Sequence, residues 1–289
     1  MNKAISNILL SGFFLALMNV LVRYADNYSV FQLIFFRALV TLLISYAVIK
    51  KHGLNPFGND KKHLILRGVF GFIGLTLYYL TLKHMPLAAA VSIQYLSPVF
   101  TAVLAIFINK QKMSWFTWLF YALAFAGVLV IRGFDARIEL LILLAGIGSA
   151  VASGAAYNMI RKIGKNDDPN VVVFYFPLVT LPLVLIPAIN TWIWPKDMLE
   201  WLILIGIGIT TQYGQVFMTR AFQHSNLAGV AIFQYFGIFY ALGFGYFLFS
   251  ETYNWLSIAG MFLVIAGAVG NALAVQYKAK KEAALNAKA

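Results

Sequence analysis

Residues 84–95 read "HMPLAAAVSIQY" and residues 224–235 read "HSNLAGVAIFQY", so that His84, Leu87, Ala88, Gln94 and Tyr95 recur 140 positions later as His224, Leu227, Ala228, Gln234 and Tyr235. The repeat reaches further: aligned without a gap, residues 68–131 match 208–271 at twelve of 64 positions, including Gly68 with Gly208, Gly74 with Gly214, Trp115 with Trp255 and Gly127 with Gly267. The chain is built from two related halves. The question is why both keep a glutamine in an apolar stretch.

The 289 residues are 61% hydrophobic and 11% charged, and brief polar loops interrupt the apolar runs. That pattern defines an all-α polytopic membrane protein. Runs of about 17 to 25 apolar residues place ten transmembrane helices near 4–22, 30–49, 64–82, 87–108, 115–131, 140–160, 171–194, 199–220, 227–249 and 255–276. The first run lacks the tripartite plan of a signal peptide and reads as a retained helix. Cysteine is absent, which excludes disulfides and thiolate metal sites. The net charge of +12 sits in loops rather than on one face, so it argues for a membrane protein and against nucleic acid as a partner.

With the N-terminus inside, the inner segments carry fifteen Lys and Arg residues and the outer loops five, Arg23, Lys83, Arg132, Arg137 and Lys196. The positive-inside rule then predicts both termini in the cytoplasm of a multi-pass inner-membrane protein. Five spans per half is an odd number, so the second half enters from the opposite side. The expected organisation is a first repeat over 1–137, an inverted repeat over 138–277 and a basic cytoplasmic tail over 278–289. Inverted repeats of this kind form carriers whose site lies near the midplane between the halves. Gln94 and Gln234, each seven residues into its span, bracket that midplane from opposite sides, about 10 Å deep.

All ten acidic residues and all four histidines fall in loops or at span ends. Intramembrane hydrolases need carboxylates or a base inside a span, so an enzyme is not expected, nor any cofactor or metal. Arg37 is the one charge well inside a span, either a structural arginine or a cation facing the cavity to meet a carboxylate or phosphate. Arg67 and Arg220, near span ends, are expected to snorkel. In "GITTQYGQVFMTR" Thr211, Gln212, Gln215 and Thr219 share a polar face, which lines a cavity or glues helices. Asn19, Tyr157 and Asn158 look inward or bond a neighbour, and Pro98, Pro177, Pro182 and Pro187 bend their helices.

The stretches "FFRALV" around Arg37, "LRGVFGFIGLTLYYLTLKHMPLAAAVSIQYLSPVFTAVLA" and "NLAGVAIFQYFGIFYALGFGYFLFSE" resemble the EamA family of the drug/metabolite transporter superfamily. The resemblance covers essentially the whole chain and implies a ten-helix basket around a central cavity that moves small metabolites or amino acids. It also implies a Glu ending the fourth and ninth helices; Glu251 fits, while the first-half position is Gln111. The expected function is a secondary transporter, an exporter or exchanger of a small polar metabolite, amino acid or amino-acid derivative. Candidate substrate-binding residues are Arg37, Tyr78, Tyr79, Gln94, Tyr95, Asn158, Gln212, Gln215, Gln234 and Tyr235, and the partners are a small-molecule substrate and the lipid bilayer. The alternative from another class is a non-transporting membrane component that handles lipid or assists assembly.

Overall fold

The computed structural model describes residues 2–109, 115–164, 166–223, 233 and 235–286. Among them stand eleven helices: α1 Asn2–Tyr24, α2 Val30–Lys51, α3 Lys61–His84, α4 Leu87–Gln94, α5 Ser97–Asn109, α6 Trp115–Phe134, α7 Leu140–Ile163, α8 Pro169–Asn190, α9 Met198–Gln223, α10 Phe236–Phe249 and α11 Trp255–Asn286. Seven candidate spans, one of them α4 and α5 together, and three shorter apolar helices account for ten membrane crossings.

Local chemistry sets the ends. Ser29 and Asp60 cap α2 and α3 by accepting from the N–H groups of Gln32 and His63, and Asp168 caps α8, whose first residue is the proline that the start of a helix tolerates. The seventh span stops at Asn190 rather than 194, because the Gln32 carboxamide takes over the backbone beyond it. Its Nε2 donates to Ile193 O at 2.6 Å and its Oε1 accepts from Ile193 N at 3.1 Å. The last helix runs to Asn286, so the segment after 278 continues α11.

Prolines act in two ways. The fourth span breaks at Tyr95 and Leu96, between Gln94 and Pro98, which brings no N–H to the Gln94 carbonyl. Pro177, Pro182 and Pro187 instead lie inside the single helix α8.

The helices pack as two interlocked copies. α1 lies on α9 as α7 lies on α3, α2 touches α9 as α8 touches α3, and α1 meets α10 as α7 meets α4 and α5. α2 with α8, α4 with α10 and α6 with α11 pair each helix with its own counterpart. Matched glycines accept equivalent bonds from serines that are not themselves at the common offset. Ser11 Oγ donates to Gly214 O at 2.8 Å, and Ser149 Oγ donates to Gly74 O at 2.7 Å. At the α6–α11 seam a Cβ on Gly127 would stand 2.6 Å from Gly260 O and 2.7 Å from Val264 N; one on Gly267 would stand 2.5 Å from Phe120 O and 2.6 Å from Ala124 N. These partners are again 140 residues apart. Only glycine lets the backbones approach so closely.

Candidate functional site

A central cavity of about 680 Å³ is lined by residues from every span except α6. On α3 its lining is centred, from Arg67 to Tyr78, but elsewhere it comes from Ser153 to Ile160 of α7, from Val173 to Pro177 near the start of α8 and from Thr211 to Met218 of α9. It is therefore displaced toward the end of the bundle that holds the N-terminus. Walls are mainly apolar, with amides and hydroxyls set into them, which is how small-molecule sites combine burial with orientation.

The first half supplies two cations. Arg37 is 8% exposed, donates from Nη1 to Tyr79 Oη at 3.2 Å, and has its Cζ 5.6 Å from the Tyr79 ring centre and 5.9 Å from that of Phe176. Tyr79 Oη donates to Met18 Sδ at 3.1 Å. Arg67 lines the same cavity, with its Cζ 4.6 Å from the Phe176 centre. This corrects the expectation that Arg67 snorkels: the Phe176 face draws the guanidinium inward by cation–π attraction. Arg37 Nε, Arg67 Nε and Arg67 Nη1 are buried without a hydrogen-bond acceptor among the described residues.

Tyr78, Gln94, Tyr95, Gln212 and Gln215 line the cavity with Arg37, as do Asn19, Tyr157 and Thr211. Gln94 is held at both ends of its carboxamide, Nε2 donating to Ser153 Oγ at 3.1 Å and Oε1 accepting from Ser149 Oγ at 2.8 Å. Three candidates stand behind the wall. Tyr79 supports Arg37; Asn158 is fully buried and donates to Thr101 O at 2.8 Å and Gly154 O at 3.0 Å, tying α7 to α5. Tyr235 packs on Tyr95, ring centres 5.0 Å apart. Gln234 and His224, like Gln111, lie outside the described residues. The repeated tyrosine thus meets its own copy between the halves, and the repeated glutamine, where described, joins α4 to α7 at the cavity.

Arg67, Phe176, Ser149 and Ser153 escaped the sequence reading. Arg67 had a signal: with Gly71, Gly74 and Tyr78 it forms a 4-3-4 stripe on one face of α3, and all four line the cavity. Among the described residues, no three His, Asp or Glu side chains gather as a metal site requires.

The opposite end is closed by a polar lattice. Ser250, in the left-handed region at φ 51°, turns the chain after α10 and brings Glu251 to the start of α4. There it accepts from Leu87 N at 3.0 Å, pairs with Arg23 Nη2 at 2.8 Å and accepts from Tyr253 Oη at 2.5 Å. A carboxylate is favoured at a helix N-terminus. Arg23 also donates to Met85 O at 2.5 Å. Burial, then the Glu251 bond, pushes the Tyr253 hydroxyl well above the ordinary phenol range. Arg137 grips Asp135 at 2.7 Å and Thr252 O at 2.8 Å. Burial would raise the Asp135 carboxyl, but the Arg137 bonds outweigh it and hold it below its usual range. Tyr28 bonds Glu200 at 2.5 Å, joining the α1–α2 turn to α9.

Ten membrane helices in two interlocked repeats around a polar-studded cavity closed at one end form a transporter of small solutes. The chain belongs to the EamA-like transporter family, whose profile matches residues 2–133 and 140–273. It is 30% identical over 263 residues to the pseudopaline exporter CntI of Pseudomonas aeruginosa, covering 90% of this chain and 92% of that protein. It is 29% identical to human solute carrier family 35 member G1, over 94% and 80% of the two chains. To the S-adenosylmethionine uptake transporter of Rickettsia prowazekii it is 25% identical, over 81% and 80%. One crystal structure superposes with a TM-score of 0.65 at 18% identity, over 94% of this chain and 98% of that one, a likeness of fold.

Proposed function

We propose that this protein is a secondary carrier that exports or exchanges a small polar metabolite, an amino acid or an amino-acid derivative, across the cytoplasmic membrane by alternating access. The observation that carries this reading is the cavity of about 680 Å³, of a size that suits a small ligand and reached by nearly every helix of both halves. Two repeats, 1–137 and 138–277, rocking against each other would expose it first to one side and then to the other.

The excess of Lys and Arg supports cytoplasmic termini, and the cavity lies toward that end while the Glu251 lattice closes the far end. A site that loads from the cytoplasm suits export. Exporters and importers both occur among the relatives, so direction rests on this geometry. No carboxylate lies in the interior of a span, which favours facilitated movement or exchange over proton coupling.

Counterflow in proteoliposomes tests the reading. A preloaded solute should drive saturable entry of its labelled form at equal pH on both sides. Absence of counterflow for every solute across a metabolite library would refute it, and counterflow abolished by collapsing a pH gradient would refute uncoupled exchange.

A further inference from the structure

The acidic side chains among the described residues stand away from the cavity. Asp26, Asp60 and Asp135 face Lys83, His63 and Arg137, and Glu251 faces Arg23. Asp167 accepts from the N–H groups of Asn59 and Asp60, Asp168 from Asn170, Asp197 from Glu200, and Glu200 from Tyr28. Glu139 stands at the N-terminal cap of α7, and Glu282 in the final stretch of α11. Among the described residues no carboxylate lines the cavity.

The cavity nevertheless holds two guanidinium groups over one ring, and three of their nitrogens lack an acceptor among the described residues. An aromatic face offsets part of the cost of burying a cation, but it does not neutralise the charge or accept from the edge N–H groups. Two cations brought toward the same ring also repel each other. Because the chain offers no carboxylate here, the compensating charge has to arrive with the solute.

We propose that the transported solute is an organic anion carrying two acidic groups, such as a di- or tricarboxylate, held between Arg37 and Arg67 beside Phe176. This rests on the carrier reading and narrows it. A guanidinium presents a planar fork that matches a carboxylate with two parallel hydrogen bonds. Both forks lie within reach of one ring, so a short carbon chain bridges them and its apolar middle meets Phe176. Gln94, Gln212 and Tyr78 remain to hydrogen-bond the rest of the molecule. Arg37, braced by the Tyr79 hydroxyl, is the fixed anchor; Arg67, laid over Phe176, is the adjustable one.

Binding to the purified full-length chain tests this at low ionic strength, where charge is least screened. Probes are succinate, citrate and 2-oxoglutarate, with acetate, chloride, inorganic phosphate and S-adenosylmethionine as contrasts. At least one di- or tricarboxylate should bind. Its affinity should fall about ten-fold or more in Arg67→Gln and in Arg37→Gln; Arg37→Lys, which keeps the charge but loses the two parallel hydrogen bonds, should also weaken binding, by less, and serves where Arg37→Gln fails to fold. The proposal is overturned if no dicarboxylate or tricarboxylate binds, if Arg67→Gln leaves their affinity unchanged, if chloride or phosphate binds as well as they do, or if S-adenosylmethionine alone binds. The carrier reading fails separately. No counterflow of any solute would defeat that, whereas brisk counterflow of a neutral or cationic solute that survives Arg67→Gln would defeat only the charge assignment.

Discussion

Replacing Glu251 by glutamine isolates the charge at the closed end of the cavity. Glu251 is 5% exposed and Arg23 23%, so the pair is largely withdrawn from water, and removing one partner of a buried pair typically costs about 3–5 kcal/mol. Two features reduce that figure here. Glutamine keeps an oxygen able to accept from Leu87 N, and Arg23 retains the carbonyl of Met85 at 2.5 Å. A remaining loss of about 1–2 kcal/mol follows, which shifts a two-state equilibrium about 5- to 30-fold. If the lattice exists only while this end is closed, the loss falls on the closed state. The chain has no cysteine, so Ser97→Cys, a near-isosteric change in the cavity wall, gives a single reporter. Labelling by an impermeant thiol reagent from the Arg23 side should accelerate several-fold in the Glu251→Gln background. An unchanged rate in protein that melts cooperatively would show that the pair does not hold this end closed and reduce it to a loop fastener.

Cysteines placed singly at Asn55 and Asn254 should react from opposite sides of intact cells, with only Asn254→Cys labelled from outside; the reverse pattern would invert the orientation. Gln94→Leu removes the bonds to Ser149 and Ser153, so it should lower stability by about 0.5–2 kcal/mol and solute affinity about ten-fold, measured by melting and calorimetry on the same sample; loss of stability alone would make Gln94 a purely structural link. Gly127→Ala drives a methyl into the backbone of α11 and should cost about 1–3 kcal/mol by overpacking, with Gly267→Ala behaving alike if the seam is symmetric. The Asp135 carboxyl is held below its unfolded value of about 3.9 by Arg137, so its stabilisation is complete above that value and disappears as pH falls through the folded one. Melting between pH 6 and 3 should lose that increment in the parent and not in Arg137→Gln.

The fold was legible because it is written in lengths. Apolar runs long enough to cross a bilayer, a fixed offset between matched glycines and an odd number of spans per half define the architecture without any side-chain detail. Where the expectation missed, a long-range contact decided the matter: Gln32 pairs with the backbone at Ile193 and ends the seventh span early. The site was legible in kind more than in position. Tyr78 faces the cavity and Tyr79 does not, because adjacent residues point about 100° apart on a helix, and only the packing of α3 says which one turns inward. Asn158 is as polar as Gln94, yet it spends both donors on nearby carbonyls. Arg67 was misread for a related reason: its distance from the span end suggested snorkelling, while the ring that holds it comes from the other half of the chain.

What the two halves share is backbone, and what they divide is chemistry. At the common offset Gly74 answers Gly214 and Gly127 answers Gly267, but Arg37 faces Pro177, Arg67 faces Ile207, Phe72 faces Gln212 and Leu75 faces Gln215. The first half brings both cavity cations, and α9 of the second brings a pair of amides with no counterpart on α3. A solute bridging both walls therefore couples the repeats to each other, which a carrier needs if the halves are to move around one bound molecule. The same division reaches the ends of the cavity. Glu251 closes one end through Arg23, while its counterpart in the first half is Gln111, which carries no charge. For a carrier whose inverted repeats exchange roles between two states of similar shape, an acid in one half and none at the matched position of the other makes those states unequal in energy.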